Sequence, residues 1–149
     1  MALRLTNRVD LDVYYNAESA RFDDRVLSIV TREAFRNIFA ECPSVGFECD
    51  EVPIGGVIFD GEVPHIAVLP AWHGRWGPLL RPMLEWLYSL KSDIRVHIDY
   101  NNPKVRRFVE HCGWPVVDSD LHGTYHRMTR SGARSVARIP LEFPSARSA

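Results

Sequence analysis

No stretch of this chain approaches the roughly 18 consecutive apolar residues that a membrane-spanning helix needs. The N-terminus also lacks the apolar segment of a secretory signal. Both absences point to a soluble protein, cytoplasmic and without a membrane partner. Cysteine is scarce: Cys42, Cys49 and Cys112 are odd in number and form no CxxC pair. That excludes a disulfide framework or a zinc site and leaves reduced thiols, with Cys112 on the buried side of a helix. There is no excess of one charge either. A formal net charge of −1 gives no basic footprint for nucleic acid. Internal repeats are absent. His122 and His126, four apart in an expected hairpin, do not share a ligand geometry, so no metal is expected.

What is present is one domain's worth of ordinary globular sequence. Its 149 residues are 46% hydrophobic and 25% charged. The sequence divides into a domain over 1–130 and a Ser/Ala/Arg/Pro tail over 131–149. From Arg130 onward, Arg134, Arg138 and Arg147 join it against Glu142 alone. Such a tail adds little to a core and is expected to be mobile unless it lies on another chain.

Apolar periodicity supplies the elements. Near alternation from Leu3 to Tyr15 predicts an opening strand or two. Phe22, Val26, Ile29, Val30, Ala34, Phe35, Ile38 and Phe39 recur at helical steps, one helix or two. Short segments at 45–49, 54–59 and 63–68, with turns at Asp50-Glu51 and Asp60-Gly61, predict an antiparallel meander. Pro64 fits only at a strand start, and Pro78 and Pro82 only in a helix's first turn. Leu79 to Tyr88 reads as a helix, Ile94 to Asp99 as a half-buried strand, and Val105 to Cys112 as a short helix ended by Gly113. A closing hairpin follows around residues 120–123. The whole is an α/β domain, a mixed and mostly antiparallel sheet flanked by helices, with a central β-α-β-α unit.

The densest run is His65 to Leu80, a strand leading through a Gly-rich turn into a helix. That layout offers backbone N–H groups and a helix N-terminus to an anion. About twenty residues on, a second strand leads into Asn101-Asn102-Pro103. The pair of units resembles the GNAT superfamily of acyl-CoA-dependent N-acyltransferases. Ile66-Ala67-Val68-Leu69-Pro70 is similar to the family's apolar fourth strand, whose backbone pairs with the pantetheine arm. His73-Gly74-Arg75-Trp76-Gly77-Pro78 aligns with the family's Q/R-x-x-G-x-G/A pyrophosphate loop. Trp76 and Pro78 stand where the family has small residues, and a one-residue shift improves the fit. Asn102, Val105, Phe108, Val109, Gly113 and Trp114 follow N-x-x-A-x-x-L-Y-x-x-x-G-F, with Val109 in place of the tyrosine that many members use as general acid.

The resemblance implies a GNAT-like fold, acetyl-CoA as cosubstrate and transfer of its acetyl group to an amine by direct attack. It implies cofactor contacts from Ile66, Val68, His73, Gly74, Arg75, Trp76, Gly77 and Asn102. Glu62, His65 and Tyr100 are the candidate catalytic residues. Each has a plainer reading: Glu62 as a solvated hairpin residue, His65 as a packed strand histidine, Asn102 as a helix cap. His97 and Asp99 share a strand face, where ordinary polar decoration is the default. The alternative to an enzyme is a GNAT-shaped structural or interaction protein. The altered loop, the Trp-rich segment and the basic tail suit that role, the tail as a surface for a protein partner or a second copy. Internal virion proteins of short-tailed phages have a similar outline, which would place the chain in a virion.

Overall fold

The computed structural model describes residues 2–20 and 22–129; the tail expected over 131–149 lies outside the described residues. The chain begins with strand β1 (Leu3–Thr6). The strand-like alternation does not continue to Tyr15, because Asp10 intervenes. Its carboxylate accepts from the N–H groups of Asp12 and Val13 at 3.0 and 3.1 Å, the signature of an N-cap. Helix α1 (Leu11–Ser19) therefore replaces the expected second strand and buries Tyr14, Tyr15 and Ala17. Helices α2 (Asp24–Ile29) and α3 (Arg32–Phe39) follow, capped by Asp23 and Thr31.

The meander forms as its pattern predicts: β2 (Ser44–Cys49), β3 (Val52–Phe59) and β4 (Pro64–Val68). Asp50 and Glu51 both take positive φ (50° and 71°), the conformation that joins two strands through a tight primed turn. Pro64 is the first residue of β4, where its missing N–H is tolerated. A loop then leads through a 3₁₀ turn (Gly77–Leu79) into α4 (Leu80–Leu90). Pro78 falls in that turn and Pro82 in the first turn of α4, as their chemistry demands. Strand β5 (Ile94–Asp99), helix α5 (Pro103–His111) and the hairpin β6 (Val116–Ser119) and β7 (Gly123–Met128) complete the fold.

The strands form two sheets, one ordered β1-β2-β3-β4 and the other β5-β7-β6. One face carries α4 and α5 over a core that includes Phe47, Ile66, Val68, Trp76, Leu84, Ile98 and Val109. The other face of the first sheet is covered by α1 and α3, where Tyr14, Tyr15 and Phe35 pack on Ile58 and Ala67. Along β4 the side chains alternate: Ile66 and Val68 enter the first core, while Ala67 enters the second.

Candidate functional site

The site begins where the two sheets meet. Leu69 donates its N–H to the Ile54 carbonyl of β3 at 2.8 Å. Antiparallel pairing alternates, so residues 65, 67 and 69 turn their backbone groups toward β3. Residues 64, 66 and 68 turn theirs toward β5. On the facing strand, Tyr100 donates to the His122 carbonyl next to the end of β7, so residues 94, 96 and 98 serve β7 while 95, 97 and 99 face β4. Among the described residues, one long bond crosses: Arg95 N–H to the Glu62 carbonyl at 3.5 Å. Beyond it no ladder joins the strands. Ile66 and Val68 therefore turn backbone donors and acceptors toward the gap.

The loop after β4 closes the far end of the gap. His73 folds back, its Nε2 2.8 Å from the Val68 carbonyl, and so occupies one of the groups on the gap edge. Gly74 sits at φ 75° with nothing near the position of a Cβ, so the backbone there is open to approach. Arg75 is exposed and lies over the Trp72 ring at 4.5 Å. Trp76 does not reach into the loop's concavity. It is 1% exposed and stacks on Phe47 at 5.3 Å, inside the core under α4. The side chain that stands where the family has a small residue is thus packed in the core, away from the loop. Trp76 points inward and Gly77 is buried at the start of the 3₁₀ turn. Arg81, exposed in the first turn of α4, adds a second cation that spacing alone did not single out. Asn102 caps α5, its Oδ1 accepting from Val105 N–H at 3.3 Å, and is 6% exposed.

The mouth of the gap is polar. Asp60 caps the hairpin by accepting from Glu62 and Val63 N–H, and its other oxygen lies 2.7 Å from His65 Nε2. His65 also lies against Phe39. The His65 contact and the two backbone donors hold the Asp60 carboxyl below its ordinary value against the opposing effect of burial. Across the gap, the Arg95–Glu62 bond aligns Arg95 with Val63. Two residues further along each strand, on the same face, come His65 and His97. His97 has Nε2 3.3 Å from Asp120 Oδ1 and Nδ1 3.6 Å from Asp99 Oδ1, and its ring lies 4.7 Å from that of Tyr125. Backbone N–H groups of His122 and Gly123, then His97, depress the Asp120 carboxyl to about 2. Burial and the adjacent Asp120 push the Tyr125 hydroxyl up. A cavity of about 540 Å³ opens here, lined by Glu62, Lys91, Arg95, Asp118, Asp120 and Tyr125 among others.

Glu62 and His65 are thus brought to one mouth, but Tyr100 is not. Its ring is 51% exposed at the opposite end of β5 and packs under Arg106 of α5. Val109 is fully buried, so no proton donor stands at that position of α5. The buried His126 is bound to Trp114 and Thr124 at 3.0 and 2.9 Å. Among the described residues no cluster of three metal-ligating side chains forms, and no helix is long and apolar enough to cross a membrane.

No protein-family model matches the chain, and no curated protein sequence matches it. Solved structures do. The N-acetyltransferase PaiA of Thermoplasma acidophilum, in complex with coenzyme A, superposes with a TM-score of 0.63 at 14% identity. The match covers 87% of this chain and 99% of that one. A chimeric spermidine N-acetyltransferase SpeG from Vibrio cholerae gives 0.65 at 14%, covering 90% and 99%. A GCN5-related N-acetyltransferase from Rhodopseudomonas palustris gives 0.60 at 15%, covering 86% and 94%. At these identities the likeness establishes the fold, which is that of the GNAT acetyltransferases.

Proposed function

We propose that the chain is an acyl-CoA-dependent N-acyltransferase that passes an acetyl group from acetyl-CoA to an amine. The observation that carries this is the gap between β4 and β5. Two strand edges face each other with their backbone groups turned inward, one long bond at the mouth and none beyond. A pantetheine arm carries two amides and can take the place of the missing ladder. At the far end, the open backbone at Gly74 with Arg75 and Arg81 suits a pyrophosphate, although Pro78 removes one donor. Asn102 caps α5 at the end of β5.

In the reaction, a free amine attacks the thioester carbonyl. The N–H groups that Ile66 and Val68 turn toward the gap steady the oxyanion. Glu62, through water, takes the proton the amine sheds, and the carbon–sulfur bond then breaks. His65, held by Asp60, serves as the second proton acceptor at the mouth. The exposed Tyr100 is left at the cofactor end of β5.

The alternative reading, a non-catalytic virion or interaction part, drew on the altered loop, the Trp-rich segment and the basic tail. Trp76 packs in the core, and the tail lies outside the described residues. Calorimetric titration with acetyl-CoA and CoA tests the proposal. We expect micromolar binding, weakened about tenfold by Arg75→Ala. No binding up to millimolar would refute it.

A further inference from the structure

An acyl acceptor must bring its amine to Glu62, the base of the proposed reaction, and Glu62 stands in the wall of the cavity at the mouth. That cavity, about 540 Å³, has the size of a small-molecule site. The charges around it differ in what already engages them. Asp120 accepts from the N–H groups of His122 and Gly123, and Asp118 accepts from that of Ser119 at 2.8 Å. Asp93 holds Arg127 at 2.9 Å. Lys91 donates to the Gly61 carbonyl at 3.2 Å, a neutral acceptor that leaves its charge uncompensated.

Arg95 is the exception. It lines the same cavity, half-buried, and among the described residues no hydrogen bond or ion pair engages its guanidinium. It also stands directly opposite Arg127 in the β5–β7 ladder. Like charges so placed repel, and the carboxylate beside them, Asp93, is taken by Arg127. An anion brought to Arg95 relieves that repulsion. The guanidinium is cationic at every working pH, so its charge depends on no titration. Its planar fork of N–H donors matches a carboxylate through two parallel bonds.

The main-chain bond from Arg95 to Glu62 at 3.5 Å sets these two residues across the mouth from one another. The cavity thus offers an acceptor two separate places: a carboxylate for its amine and a cationic fork for an anionic group.

We propose that the acyl acceptor is a free amino acid, its carboxylate held by Arg95 with Lys91 adding charge, and its amine at Glu62; this rests on the acyltransferase reading. A polyamine suits the lining less well. It would meet carboxylates that are already engaged and would set further positive charge beside Arg95 and Lys91. The step balances without another reagent. The ammonium sheds one proton to solvent before attack and a second, through water and Glu62, as the carbon–nitrogen bond forms. The carbon–sulfur bond breaks, and the thiolate takes up one proton. The products are an N-acetyl amino acid, CoA thiol and one proton in solution.

The test is a competition within one sample of protein. The standard amino acids, their carboxamides and spermidine are offered with acetyl-CoA, and the acetylated products are measured by mass spectrometry. The native protein is expected to prefer at least one amino acid over its own amide and over spermidine in kcat/KM. In Arg95→Gln that ratio of acid to amide is expected to fall about 30-fold, the scale of a charge-assisted pair, mostly through KM. Both members of the ratio meet the same sample, so a smaller folded fraction of R95Q does not move it.

Amides or spermidine acetylated as readily as the amino acids would overturn the assignment. So would a ratio unmoved in R95Q, or a native protein that binds CoA and acetylates no amino acid. Each of these leaves the acyltransferase reading standing. A native protein that neither binds CoA nor acetylates any amine brings down that reading itself, and the acceptor with it.

Discussion

Replacing Trp76 with alanine separates two accounts of the loop that a sequence alignment leaves open. If its indole lay in the phosphate path, removing it would open the loop and raise affinity for CoA. The structure instead puts it 1% exposed against Phe47, with ring centroids 5.3 Å apart and planes inclined by 21°. A buried tryptophan withdraws on the order of 150–250 Å² from water, worth about 4–6 kcal/mol at 25 cal/mol per Å². Truncations of this kind lose about 3–5 kcal/mol once the surroundings relax. Native stabilities run to about 5–15 kcal/mol, so the variant should be folded but close to its limit. Urea titration followed by far-ultraviolet circular dichroism gives the measurement. With a slope of about 2 kcal/mol per M, the midpoint should fall by roughly 2 M. The affinity for CoA, measured well below that midpoint, should fall as well, because Gly77 and the start of α4 lose their anchor. A stability loss under about 1 kcal/mol together with tighter CoA binding would show that Trp76 is a plug and that the packing argument is wrong.

Two further outcomes follow from the β5–β7 region. Asp120 is held to about 2 in the folded chain, below its ordinary value, so it stabilises the fold above the unfolded value near 4 and loses that contribution as pH falls toward 2. Melting temperature should therefore drop more steeply between pH 4 and 2 in the native protein than in Asp120→Asn, and equal slopes would contradict the capping role. A Cβ on Gly123 would stand 2.0 Å from the Ile98 carbonyl oxygen, a backbone atom that cannot move aside. Gly123→Ala should cost at least 1–3 kcal/mol, roughly the overpacking range, read as a lower urea midpoint; a neutral result would mean the β5–β7 pairing is looser than described.

The elements were legible where one periodicity dominated. The meander, α4, β5, α5 and the closing hairpin follow from apolar spacing, and the prolines fell where their chemistry allows. Residues 11–19 were misread because near alternation is a weak signal, and one carboxylate at Asp10 outweighs it by satisfying two backbone donors. The contacts expected of Ile66 and Val68 came from the resemblance to the family's fourth strand, not from the apolar pattern of the strand. The position of Trp76 could not be read, because spacing does not fix the register of a loop. Nor could the surroundings of His97 be read, since Asp120 lies 23 residues away and arrives only when β7 pairs with β5. The departure of Tyr100 from the mouth has the same origin: it depends on how β5 ends against α5.

The open edges of β4 and β5 bear on how this architecture tolerates change. What Ile66 and Val68 turn toward the gap is main chain, common to every residue except proline. Substitution at those positions is constrained on the core side and almost unconstrained on the side that faces the gap. A crevice written in peptide groups can persist while the letters around it are replaced. Chains alike in 12–15% of their positions can then superpose over most of their length, and identity at the gap itself becomes a poor guide to whether it still works.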